Sequence, residues 1–95
     1  MEKRLGTVSI IVERHVAPVD ELNELLTQFG DDIVGRFGLP YRERGVNVIT
    51  LVTDTSMERV SALTGKLGKL PGVQVRSLLS KTPTQGATHD AASSQ

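Results

Sequence analysis

The chain has 95 residues, a formal net charge of +0, two phenylalanines, one tyrosine, no tryptophan and no cysteine. That is enough for one small domain with a modest core. The composition excludes a disulfide framework and a cysteine metal site, and the balanced charge removes the general electrostatic attraction that draws basic proteins to nucleic acids. The apolar runs are too short for a membrane span, and "MEKRLG" lacks the apolar stretch of a signal peptide, so a cytoplasmic protein is expected.

In chain order, Leu5 to Glu13 is rich in β-branched residues and sets Val8, Ile10 and Val12 on one face, which predicts a strand. Pro18 suits a helix start, and Asp20 and Glu21 complement the dipole there. Val19, Leu22, Leu25, Leu26 and Phe29 then recur at helical spacing up to Gly30. Two extended segments follow, Ile33 to Tyr41 and Val46 to Thr53, joined by "RERG". Gly35, Gly38 and Pro40 mark the first as an edge or bulged strand.

Thr55 or Ser56 can cap the next helix, and Thr55 with Glu58 has capping-box spacing. Met57, Val60, Leu63, Leu67 and Leu70 form one stripe that runs through "TGKLGKL". Gly65 and Gly68 are therefore helical, with close approach of a neighbouring backbone as the expected reason for glycine. Pro71-Gly72 stops the helix, and Val73 to Ser80 is the last strand. Residues 1–81 thus form the expected domain. Residues 82–95, low in hydrophobicity and rich in Thr, Ser and Ala, are the expected disordered tail.

The order β-α-β-β-α-β is the split unit of ferredoxin-like α+β folds, a four-stranded antiparallel sheet with both helices on one face. The other face should be polar in a monomer. Yet Val46, Val48 and Val52 alternate with Ile49 and Leu51, so this strand is apolar on both sides and is expected to be covered on both. Val46, Val48 and Val52 are accordingly the candidate residues of a homo-oligomer interface.

The chemical motifs are sparse. A P-loop requires glycine five positions before Gly65 and Ser or Thr after Lys66, where Val60 and Leu67 stand. "GKLG" matches the GxxG spacing of KH domains, but Pro71-Gly72 leaves no room for the helix that must follow. Glu13 and His15 share one side of an extended segment, too few for a metal site, and His89 falls in the tail. Asp31 and Asp32 read most simply as solvated acids. No nucleophile-base-acid arrangement has supporting spacing, so no catalytic residue is assigned and no enzyme is expected. Arg36, Arg42 and Arg44 form a cationic group suited to holding a small anionic effector bidentately, with a solvated face or subunit salt bridges as the competing reading.

Several segments together resemble a known family: "MEKR" at the start, "LNELL" at Leu22 to Leu26, Asp32-Ile33, "RFGLPYRE" at Arg36 to Glu43, "ALTGKLG" at Ala62 to Gly68 and "GVQVR" at Gly72 to Arg76. The sequence is similar to the iron-only hydrogenase system regulators over Met1 to Lys81. The resemblance implies an ACT-like domain, similar to the regulatory domain of nickel-responsive repressors, and a regulatory role. This chain lacks the ribbon-helix-helix segment of those repressors and their nickel-binding Cys and His residues, so neither direct DNA binding nor nickel sensing is expected. The expectation is an oligomeric regulator that senses a small effector and signals to a regulatory or maturation protein. The alternative is a ligand-free interaction module of hydrogenase maturation. No cofactor is assigned.

Overall fold

The computed structural model describes residues 2–83. The expected tail therefore lies outside the described residues from position 84 onward.

Six elements follow in the expected order: β1 (Arg4–Glu13), α1 (Val19–Gln28), β2 (Ile33–Tyr41), β3 (Val46–Thr55), α2 (Met57–Gly68) and β4 (Val73–Leu79). Short 3-10 turns, Gly30–Asp32 and Arg42–Arg44, precede β2 and β3. All strand pairs are antiparallel and the sheet order is β2-β3-β1-β4. The fold is the ferredoxin-like βαββαβ arrangement.

Alternation in the two central strands defines the layers. Val8, Ile10 and Val12 of β1 lie opposite Leu51, Ile49 and Asn47 of β3, and the five apolar members of this set are buried. Leu22, Leu26 and Phe29 from the first helical segment and Val60, Leu63 and Leu67 from α2 complete the core on that side. The intervening residues Ser9, Ile11, Val48, Thr50 and Val52 point to the open side.

β2 departs from simple alternation. Ile33 pairs with Thr53 and Gly35 with Val52, so Val34 is an extra residue, a bulge. A one-residue slip exchanges the faces of everything beyond it. Phe37, Leu39 and Tyr41 consequently lie opposite Thr50, Val48 and Val46 on the open side.

Two local expectations are corrected. Thr55 ends β3 and its hydroxyl donates to Asp32 Oδ1 at 2.7 Å, so it forms no capping box with Glu58. Ser56 is the cap instead, its Oγ accepting from the Arg59 backbone N–H at 3.2 Å. Nor are the helical glycines sites of close backbone approach. A Cβ on Gly65 would meet nothing within 4 Å, and one on Gly68 would meet only Val75 Cγ1 at 3.6 Å, an ordinary contact.

Candidate functional site

Three connections meet at the end of the sheet where β1 stops and β3 begins. The Glu13 N–H donates to the Gly72 carbonyl at 2.8 Å, and the Arg14 N–H donates to the Gly45 carbonyl at 3.0 Å. The Val16 and Ala17 N–H groups both return to the Glu13 carbonyl, at 3.0 and 2.9 Å, winding the β1–α1 connection into a tight turn. Both outer anchors are glycines with positive φ, 67° at Gly45 and 72° at Gly72. At Gly72 the turn also comes so close that a Cβ would lie 2.8 Å from Val16 Cβ, so glycine is required there for conformation and for space.

On the open side this junction leaves a cleft of about 570 Å³. Ile11, Val46 and Val48 form its apolar floor, while Glu13, His15, Tyr41, Arg44 and Gln74 supply polar groups around it. The register explains why distant residues meet. Ile11 pairs with Val48 on one side and Gln74 on the other, and Tyr41 pairs with Val46. A carboxylate, an imidazole, a phenol, a guanidinium and an amide over an apolar floor can hold a small molecule with an apolar body and charged substituents. Arg44 brings the donor fork suited to a carboxylate or phosphate.

A second polar cluster lies on the helix side. Asp32 Oδ2 accepts from Arg59 Nη2 at 2.7 Å and Nε at 3.2 Å, while its Oδ1 accepts from Thr55. The guanidinium sits 4.5 Å above the Phe29 ring centroid. The Arg59 hydrogen bond, opposed by desolvation, holds the Asp32 carboxyl below its ordinary value. Asp31 is exposed, but Asp32 has a side chain only 13% accessible, which corrects the reading of both as solvated acids. Because every partner of Asp32 belongs to the fold, this cluster is a latch joining the turn before β2 to α2. Among the described residues no group of three or more His, Cys, Asp or Glu comes together as a metal site, and no helix is long and apolar enough to cross a membrane.

Residues 4–77 match the family described as "TM1266-like: Iron-only hydrogenase system regulator, putative". The chain belongs to this family. It is also similar to a solved structure, that of "uncharacterized protein TM1266 from Thermotoga maritima", with 40% identity and a TM-score of 0.81 over 84% of this chain and 100% of that one. A comparison with curated proteins gives no match.

In this member of the TM1266-like family, the three arginines singled out from sequence do not converge. Arg44 lines the cleft. Arg36 pairs with Leu51, which places it on the helix side of the sheet. Arg42 opens the 3-10 turn rather than extending the strand, and is not among the residues lining the cleft. The bulge and the turn separate what an uninterrupted strand would place on one face. Of the three valines, Val46 and Val48 lie in the cleft floor; Val52, on the same face, lines a smaller hollow of about 270 Å³ with Leu5 and Leu78.

Sequence reasoning missed Tyr41 and Gln74 and gave Glu13 and His15 no role. The alternation of β1 does place Glu13 on the open face with Ile11, but nothing local shows that Gln74 arrives beside them.

Proposed function

We propose that this regulator of the iron-only hydrogenase system works as an oligomeric domain that binds a small anionic effector in the cleft at the β1–β3 end of the sheet and relays its presence to a partner protein. The observation that supports this reading is the cleft itself, where an apolar floor is ringed by polar groups from β1, its following turn, β2, the β2–β3 connection and β4. Arg44 is the anion-holding group, Ile11, Val46 and Val48 take the apolar body, and Glu13, His15, Tyr41 and Gln74 select among substituents.

A ligand that binds only the folded state raises stability by RT ln(1 + [L]/Kd), about 2.7 kcal/mol at a hundredfold excess over Kd. A thermal-shift screen of nucleotides, organic acids and amino acids should therefore yield a stabilising compound. Its effect should vanish in Arg44→Ala protein that still folds and persist in Arg36→Ala protein. The exposed apolar side chains of the open sheet face favour a second reading, a ligand-free interaction module of hydrogenase maturation. Binding of a maturation protein to a chain that no screened compound stabilises would replace the effector reading with that one.

A further inference from the structure

The open face of the sheet carries exposed apolar side chains on three strands and half-buried valines, Val46, Val48 and Val52, on the fourth, β3. Leu5 and Ile11 on β1, Phe37, Leu39 and Tyr41 on β2, and Leu78 on β4 are each 40% to 72% exposed. At about 200 Å² for a large side chain, these six leave on the order of 650 Å² uncovered. Summed over the whole face, this approaches the roughly 800 Å² per partner of a standard interface.

The relief of the face is also informative. At the middle of the central strands the open side carries the small residues Thr7 and Ser9 of β1 and Thr50 of β3, with the half-buried Val48 and Val52 of β3 beside them and Leu5 and Ile11 of β1 toward the two ends. The large residues stand to either side: the Phe37, Leu39 and Tyr41 row on β2, created by the bulge at Val34, and Leu78 on β4. A ridge beside a shallow trough is complementary to itself under a twofold rotation, because the ridge of each copy enters the trough of the other. The charges agree with such pairing. Glu13 and Arg76 are both exposed on this face, so its rim is of mixed sign, and the chain as a whole has net charge +0, so two copies do not repel at long range. The chain's own residues 84–95 are a poor cover, since that sequence contains no Leu, Ile, Val, Met or aromatic residue to place on the patch.

We infer that a second copy of this chain covers the open sheet face, with the β2 ridge of Phe37, Leu39 and Tyr41 seated over the central strands of its partner. The inference rests on the oligomeric part of the proposed function, and adds the β2 ridge and the twofold symmetry to the face on which Val46, Val48 and Val52 lie. Sheet-on-sheet packing of this kind also roofs the cleft, since Ile11, Tyr41, Val46 and Val48 belong both to the cleft and to the covered face.

The test uses the full chain without effector. Sedimentation should show a dimer at micromolar concentration. Tyr41 is the sole tyrosine and tryptophan is absent, so intrinsic fluorescence reports on this face alone, and its quenching by acrylamide should weaken at least twofold as protein concentration rises through the dimerisation range. The variant Phe37→Asp/Leu39→Asp alters side chains already exposed in the monomer. It should keep the wild-type circular dichroism spectrum and sediment as a monomer, while Met57→Asp, an equally exposed change on α2, should remain a dimer. A wild-type monomer at all concentrations would overturn both the inference and the oligomeric reading. A dimer whose Tyr41 quenching ignores concentration would overturn the face assignment alone, and this readout needs no variant to fold. Loss or persistence of effector binding moves neither measurement.

Discussion

Replacing Gly72 with alanine should be among the most damaging single-methyl changes available to this fold, and Gly45 provides its internal control. Both residues have left-handed backbones, φ 72° and 67°. Placing a Cβ residue in that conformation costs roughly 1–2 kcal/mol. At Gly45 little more is expected, because the nearest atom to an added Cβ is His15 Cδ2 at 3.9 Å. At Gly72 the same methyl would lie 2.8 Å from Val16 Cβ, 2.9 Å from Val16 Cγ1 and 3.1 Å from the Ala17 nitrogen. The turn cannot easily retreat, since Glu13 donates to Gly72 at 2.8 Å and both Val16 and Ala17 are tied back to Glu13. Overpacking of this kind adds about 1–3 kcal/mol, giving roughly 2–5 kcal/mol for Gly72→Ala against about 1–2 for Gly45→Ala. Urea unfolding of both variants, compared at equal slope, measures the difference directly. Free energies within about 0.5 kcal/mol of each other would refute the argument that the β1–α1 turn is clamped against Gly72.

Three further outcomes are expected. Gly65 sits in α2 with nothing near its missing side chain, so Gly65→Ala should raise stability by about 1 kcal/mol in a thermal or urea melt; a loss would mean an unseen neighbour uses that space. Because Arg59 depresses the folded pKa of Asp32 below its ordinary value of 3.8, the carboxylate's contribution is complete above the unfolded pKa and is lost as pH falls through the folded one. The stability gap between wild type and Asp32→Asn should thus be flat above about pH 5 and shrink below about pH 4, and a gap that widens in acid would contradict the latch. Ile49 is buried and Val48 faces the open side. Ile49→Asp should therefore cost on the order of 4 kcal/mol or more and unfold the domain, whereas Val48→Asp should leave a folded chain by circular dichroism and weaken its self-association.

Much of the architecture was legible because it is written in local periods. Alternation in "TVSIIVE" and the 3.6-residue stripe from Val60 to Leu67 each need only a few neighbouring residues to declare themselves. The two valine and leucine sets of β3 announced a strand wanted by two layers. They did not say which set belonged to which layer, since both are apolar. The glycine-rich segment "IVGRFGLPY" defeated the same method. It has too few polar positions to show a phase, so the bulge at Val34 leaves no trace in the pattern, and the direction of Arg36 was lost with it.

The sequence by itself determined the element order, the ferredoxin-like class and, through segments such as "RFGLPYRE" and "ALTGKLG", the family. Each of these depends on residues adjacent in the chain or on their recurrence. Only the tertiary structure decided the site and the latch. Glu13 meets Gln74 because β4 is laid against β1 with Ile11 opposite Gln74. Asp32 meets Arg59 because the turn before β2 is packed against the start of α2. These encounters are set by strand register and helix docking, which balance burial over the whole core at once, and no window of sequence contains that balance.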